Sequence, residues 1–348
     1  MIYNKYMEKK TKIGIIGTGN IGRSFAVALA SKGYYVEGVM GKSYCNIQVD
    51  TSYAFSITGG FGNHTQLIKI VDKVENLSND LDIVIICTRV YDGAKAIREL
   101  KNKISDKTAI VTIQNMFWID KLYKLYPENI VCAYLDFSCW TERDITHIID
   151  FAGIKLGVIR TEAFDKMKLC TKVFSEITRV EEKNDMMGFV LSRNIVNITI
   201  SALGVISGRN LGEILVDWKG RVLFKKVMQE IVRVFDFYKI KILPYNNKLD
   251  YYLFTENSIR AKIYRHKIYK LLRKNNPYVR SSALCEIEQG KKSELKFILE
   301  NLLRNSNFHK ISTPYTSAIF DMLCEIEKGT RRINRNAFYD KKILSIKE

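Results

Sequence analysis

The sequence predicts two domains of different class: a parallel α/β domain at 1–160 and an all-helical domain at 161–330, with a polar tail at 331–348. Three observations carry that expectation. Over roughly the first 130 residues, short β-rich runs alternate with helical patterns, which is the signature of βαβ units. A glycine-rich turn joins the first of those runs to the first helical pattern. Near Thr161 the character changes, and long amphipathic segments take over.

In chain order, Lys12 to Ile16 reads as a strand, Ile21 to Lys32 as a helix and Tyr34 to Met40 as a second strand. Leu81 to Cys87 (LDIVIIC) is apolar enough to be buried on both faces, as a central parallel strand is. A helix from Asp92 to Ile104 and a strand from Thr108 to Ile113 follow. Beyond Thr161, helical periodicity runs over 162–177, 185–206, 210–239, 248–273, 279–301 and 313–328. Met186 to Gly208 is the most apolar stretch, but Arg193, Asn194 and Asn197 interrupt it, so it reads as a buried helix rather than a membrane span. The three tryptophans, Trp118, Trp140 and Trp218, are expected in the core, and the tail is expected to be loosely held.

Composition narrows the function classes. With 47% hydrophobic and 26% charged residues, the chain is neither disordered nor low-complexity. Seven cysteines without a CxxC exclude a disulfide framework or zinc ribbon, and four scattered histidines outline no metal site. The N-terminus lacks the apolar core of a signal peptide, so a cytoplasmic location is expected. A net charge of +18 favours anionic partners without choosing among them. Residues 257–280 are strongly basic, yet no nucleic-acid motif accompanies them, and an amphipathic helix with a solvated basic face accounts for the pattern.

Gly17-Thr18-Gly19-Asn20-Ile21-Gly22 is a G-x-G-x-x-G set between strand and helix. Gly17 permits the tight turn, Gly19 the approach of a pyrophosphate, and Gly22 close helix–strand packing. That context predicts a Rossmann-type dinucleotide site. At the tip of the second strand an NAD site usually carries an acid. Here the tip reads Val39-Met40-Gly41-Lys42-Ser43, and Glu37 lies three residues earlier. Lys42 and Ser43 suit a 2′-phosphate, so NADPH is the expected cofactor.

From Lys12 to Gly329 the chain resembles the ketopantoate reductase family. The glycine turn and Gly41 to Asp50 fit that family, as does Cys87-Thr88-Arg89-Val90, where the family has a lysine at the place of Arg89. Ile113-Gln114-Asn115 is similar to its Q-N-G segment. Ser281 to Glu294 matches S-S-M-x-x-D-I-x-x-G-x-x-T-E, and Thr313-Pro314 opens the last helix as expected. The resemblance implies a C-terminal domain of the 6-phosphogluconate dehydrogenase C-terminal-like type. It implies NADPH-dependent reduction of a small 2-oxo acid, 2-dehydropantoate to pantoate, as in pantothenate biosynthesis. Arg89 then contacts cofactor, Asn115 lies at nicotinamide and substrate, and Ser282 and Glu294 contact substrate. The implied partner is a small carboxylate-bearing molecule, with neither nucleic acid nor membrane, and the protein is a monomer or homodimer.

Three departures from the family stand out. Asn115 is followed by Met116-Phe117-Trp118 instead of a glycine turn, and Arg89 replaces a lysine. The catalytic lysine of the K-x3-N-x3-N helix is missing. Two registers are open: Val190, Asn194 and Ile198, or Arg193, Asn197 and Ser201. The second is preferred because it keeps polar groups at i, i+4 and i+8 and fits Gly212-Glu213 without a gap. An arginine there orients a carboxylate or stabilises negative charge, but stays protonated and is a poor general acid. These departures leave open a relative that reduces a different carbonyl or an imine, or a non-catalytic NADPH-binding protein.

Overall fold

The structure, a computed structural model, describes residues 11–40, 51–100, 103–113, 125–149, 153–245, 248–275 and 277–346. The chain divides into two units, Met1–Met186 and Met187–Glu348. An α/β unit is thus followed by a helical one.

The first unit is built on an 11-stranded sheet. Its strands are β1 (Lys12–Ile16), β2 (Tyr35–Val39), β3 (Thr51–Gly59), β4 (His64–Val71), β5 (Ile83–Ile86), β6 (Ala109–Thr112), β7 (Ile130–Leu135), β8 (Ser138–Glu142), β9 (Ile145–Ile149), β10 (Ile154–Gly157) and β11 (Val180–Glu182). The order is β11-β10-β7-β6-β5-β1-β2-β4-β3-β9-β8. From β4 through β2, β1, β5 and β6 to β7 neighbouring strands run parallel, and the chain direction reverses its spread at β1. That reversal is the topological switch point beside which α/β proteins bind ligands. The unbroken burial of β5 and β6 follows from covering on both faces.

Helices α1 (Asn20–Ser31), α2 (Val90–Glu99) and α3 (Phe164–Ser175) belong to this unit. α1 buries Phe25, Ala26, Val27 and Leu29 against the sheet. The domain boundary expected near Thr161 moves to Met186. The periodicity of 162–177 is indeed helical, but the apolar face of α3 (Met167, Cys170, Val173, Phe174) joins the sheet's core, and β11 then pairs with β10. The β3–β4 and β8–β9 pairs were absent from the sequence reading. Their outward positions are polar or mixed, so the runs are weakly apolar, and they form because they extend an existing sheet.

The second unit contains α4 (Met186–Ser207), α5 (Leu211–Val216), α6 (Trp218–Phe237), α7 (Tyr251–Thr255), α8 (Ile259–Asn275), α9 (Ser282–Glu288), α10 (Glu294–Phe308), α11 (Pro314–Glu327) and α12 (Lys341–Leu344). α4 is long and apolar enough to cross a membrane by length and composition, but most of it is buried in the protein. α6 contributes Leu223, Phe224, Val227 and Ile231 to the core. The tail is not loose. Phe338 is fully buried, and Arg331 binds Glu325 at 2.6 Å and Asp340 at 2.8 Å. The apolar anchors Ala337, Phe338 and Ile343 are scattered through a polar run, too sparse a pattern to read from periodicity. Two tryptophans also depart from expectation. Trp140 is 44% exposed and stacks on His147 across β8–β9, whereas Trp218, 55% exposed, opens α6 beneath Lys219. Trp118 lies outside the described residues.

Candidate active-site residues

The glycine turn follows β1 and opens α1. Gly17 adopts φ +95°, and its N–H and that of Thr18 donate to the Val39 carbonyl. A Cβ on Gly17 would lie 3.0 Å from the Thr88 amide nitrogen, so the β5–α2 turn rests directly against it. A Cβ on Gly22 would stand 2.0 Å from the Gly17 oxygen, so only glycine lets α1 begin here. Gly19 differs: nothing lies within 4 Å of where its Cβ would be. Open space at a helix N-terminus, with backbone N–H groups facing it, fits the pyrophosphate of a dinucleotide.

The remaining residues of the turn have separate tasks. Thr18 is buried and its hydroxyl donates to the Val39 carbonyl at 3.5 Å, so its side chain too is committed to the turn, and Ile21 is half-buried against the core. Asn20 is held by β8: its amide donates to the Cys139 carbonyl at 3.3 Å and accepts from the Thr141 hydroxyl at 2.9 Å. Its carboxamide is therefore a brace. Sequence reasoning missed this contact because β8 lies more than a hundred residues away. Arg89 is exposed at the N-cap of α2, just past the end of β5. Lys42, Ser43 and Asn115, with Gln114 beside it, lie outside the described residues.

Glu37 is fully buried and accepts from the Ser78 amide at 2.5 Å, from the Ser78 hydroxyl at 3.2 Å and from Tyr35 at 3.2 Å. It is a structural carboxylate, committed to the interior side of β2 and withdrawn from the strand tip.

In the helical unit, α4 separates the two registers by accessibility. Val190, Asn194 and Ile198 are each only 4% exposed. Arg193 and Ser201 are half-buried and Asn197 is exposed. The Arg193 guanidinium lies 4.6 Å from the Phe189 ring centroid and 5.5 Å from that of Tyr245. Tyr245 is brought there by a segment pinned to Ser192, whose hydroxyl accepts from Leu243 N–H at 2.7 Å and whose carbonyl accepts from Tyr251 at 2.5 Å. Packing between rings immobilises the guanidinium plane, a cation–π arrangement that no local sequence pattern signals. Asn194 is a second matter. Its Nδ2 is buried without a hydrogen-bond partner among the described residues.

Further along the face that carries Arg193, Asn197 and Ser201 comes Gly204. A Cβ there would meet Ser281 Oγ at 3.4 Å, so the turn before α9 rests on that face. Ser281 itself caps α9 by accepting from Leu284 N–H at 3.0 Å. Ser282, the next residue, is exposed at the first turn. Arg193 stands eleven residues from Gly204, about 16 Å along the axis. Glu294 begins α10, half-buried, and its N–H points to Glu286 Oε2 at 3.4 Å. Glu286, itself buried, thereby ties α10 to α9 and positions Glu294. Glu213 forms a capping box with Asn210 at the start of α5, a structural role.

Residues 13–149 match the family described as "Ketopantoate reductase PanE/ApbA", and 185–327 match its C-terminal part. A 2-dehydropantoate 2-reductase of Aquifex aeolicus (strain VF5) is 22% identical over 327 residues, covering 90% of this chain and 96% of its own length. Among solved structures, D-mandelate dehydrogenase with NADH and anilino(oxo)acetate superposes with a TM-score of 0.74 at 16% identity, covering 92% of this chain and 99% of its own. A ketopantoate reductase from Ralstonia eutropha JMP134 gives 0.73 at 16% identity, with 92% and 100% covered. The dimeric ketopantoate reductase from Staphylococcus aureus gives 0.68 at 14%, again with 92% and 100% covered. The solved structures share the fold, and the two family matches extend over most of the chain. The chain belongs to the ketopantoate reductase family, whose members are oxidoreductases acting on CH–OH/C=O groups.

Proposed function

We propose that the protein is an NADPH-dependent reductase of a small 2-oxo acid, with 2-dehydropantoate, converted to pantoate in pantothenate biosynthesis, as the first candidate. The observation that carries this reading is the accessible polar row Arg193–Asn197–Ser201 on an otherwise apolar helix, in a chain whose glycine turn leaves Gly19 open. Bound NADPH supplies a hydride. The amides of Gly17 to Gly22 hold the pyrophosphate, Lys42 and Ser43 the 2′-phosphate, Arg89 a further anionic group, and Asn115 the nicotinamide side of the substrate.

Arg193 offers a planar pair of donors to the substrate carboxylate or to negative charge growing on the carbonyl oxygen. It keeps its proton, so the proton that completes the alcohol comes from water or another group. Asn197, Ser201 and Ser282 donate hydrogen bonds to the substrate, and Glu294 polarises its hydroxyl or carbonyl region. The protein acts as a monomer or homodimer.

A second reading has its own observation: no lysine occurs between Met186 and Ser207, where the family carries its catalytic one. Reduction of a different carbonyl or an imine, or NADPH binding without turnover, follows from that loss. Following NADPH oxidation over a panel of 2-oxo acids separates the readings. Turnover of ketopantoate or a close analogue is expected. Normal NADPH binding with no turnover of any 2-oxo acid sinks the reductase assignment in favour of the second reading.

A further inference from the structure

The basic stretch at 257–280 has no part in the site above, and the structure resolves it into two faces. α8 buries Ala261, Arg265, Ile268 and Leu272. Arg265 is internal, donating to the Phe254 carbonyl at 3.0 Å and the Glu256 carbonyl at 2.5 Å. The exposed face carries Lys270, Arg273 and Lys274 at i, i+3 and i+4, neighbours on one helix surface. That trio does not face open solvent alone. It forms one wall of a cavity of about 980 Å³ within the helical unit, and Arg209 and Arg335 enter the same cavity from other segments.

The charges in this cavity do not balance. Five cations line it against two carboxylates, Glu213 and Asp217, which leaves an excess of three. Both carboxylates are already engaged: Asp217 with Arg209 at 2.7 Å, and Glu213 with Arg335. Lys270, Arg273 and Lys274 have no carboxylate partner among the described residues. Cations at a helix C-terminus often only complement the helix dipole. That accounts for Arg273 and Lys274, which occupy the last turn, but not for Lys270, nor for the Arg209 Nε, which is buried without a hydrogen-bond partner among the described residues. Like charges gathered around one concavity repel unless an anion enters. The volume suits a small molecule, and Tyr278 at its rim, 83% exposed, presents a ring that a flat group can stack on.

We propose that this cavity binds a small molecule bearing a polyphosphate chain, such as a nucleoside triphosphate or inorganic polyphosphate, at a site separate from the dinucleotide turn. Lys270, Arg273 and Lys274 take successive phosphoryl groups from one wall, and Arg209 and Arg335 close on the other. A concave site favours a compact anion over a duplex, whose phosphates need an extended surface.

The test is calorimetric titration of the full-length protein with sodium tripolyphosphate and with ATP at low salt. One-to-one binding is expected, weakened at least tenfold in K270A/R273A/K274A, and unchanged in Gly19→Val, which should lose only the dinucleotide. ATP binding tighter than tripolyphosphate, with the margin lost in Tyr278→Ala, assigns a nucleotide. Equal affinities assign free polyphosphate, and either result supports the site. Absence of binding by both probes, full affinity in the triple variant, displacement by NADPH, or tenfold tighter binding of a short DNA duplex would each overturn it.

Discussion

The glycine turn of the first unit and the polar row on α4 of the second are both assigned to the proposed site, but they are built differently. The turn works through backbone: positive φ at Gly17, contact of Gly22 with the Gly17 carbonyl, and empty space at Gly19. No side-chain substitution elsewhere compensates for a Cβ at Gly22. The row on α4 works through side chains on a regular helix, where most residues other than proline fit without disturbing the backbone. The difference teaches that a feature built from backbone depends on the absence of a Cβ, whereas one built from side chains can be changed by a single substitution that leaves the helix intact. In the proposed register that substitution has put Arg193 on a helix with no lysine between Met186 and Ser207.

The largest effect should come from breaking the turn. Gly22→Val places side-chain atoms against a carbonyl already 2.0 Å from the added Cβ. A cost of about 3 kcal/mol or more is expected, with Tm falling by roughly 10 °C and NADPH binding lost. Gly19→Val meets nothing, so its Tm should stay close to wild type while binding disappears. Thermal melts beside fluorescence titration check the contrast. If both variants unfold alike, Gly19 is structural and the open space is not a ligand site.

Next comes the row. Arg193→Ala should lose about 2–4 kcal/mol of transition-state stabilisation in kcat/KM, whereas Arg193→Lys should retain much of the activity and restores a titratable acid. Val190→Lys should mainly destabilise, because Val190 is 4% exposed. Gain of ketoacid reduction by Val190→Lys, with an inert Arg193→Ala, would move the site to the register through Asn194. Steady-state kinetics on the three variants decides it.

Smaller again is the cofactor preference. Lys42→Ala should weaken NADPH by about 1.5–3 kcal/mol, the range for a hydrogen bond to a charged group, and leave NADH nearly unchanged. Parallel titrations with both cofactors test this, and equal losses for the two would remove Lys42 from the 2′-phosphate.

Smallest is Glu213→Gln, which asks whether the family's Gly-Glu pair acts through the cap alone. Arg335, and then the Asn210 N–H, hold the Glu213 carboxyl below its ordinary 4.5. A depressed folded value means the stabilisation is present above that ordinary value and fades as pH falls through the folded one. The variant should lose at most about 1 kcal/mol at pH 7, because solvent screens an exposed pair, and less than that at pH 3, below the ordinary carboxyl value. Urea unfolding at both values measures the difference.

Much of the turn was legible because glycine spacing, strand and helix are local and close in sequence. So were the central strands β1, β2, β5 and β6, whose burial on both faces makes them continuously apolar. Glu37 was read correctly as lying short of the strand tip, but its engagement by Ser78 was invisible, since the two residues are far apart in the chain. In the helical unit the serine pair and Glu294 were legible as a spaced motif. The division of labour between Ser281, which caps α9, and Ser282, which faces out, was not.

By itself the sequence determined the fold class, the dinucleotide turn and the two alternative rows on α4, because each rests on periodicity or spacing within a few turns of chain. Tertiary structure alone decided that α3 and β11 complete the first unit and that Phe338 anchors the tail. It also decided that Arg193, rather than Val190, reaches accessible space between Phe189 and Tyr245. Those outcomes depend on which surfaces meet after the chain folds back, and burial is a property of that meeting, which no run of residues encodes on its own.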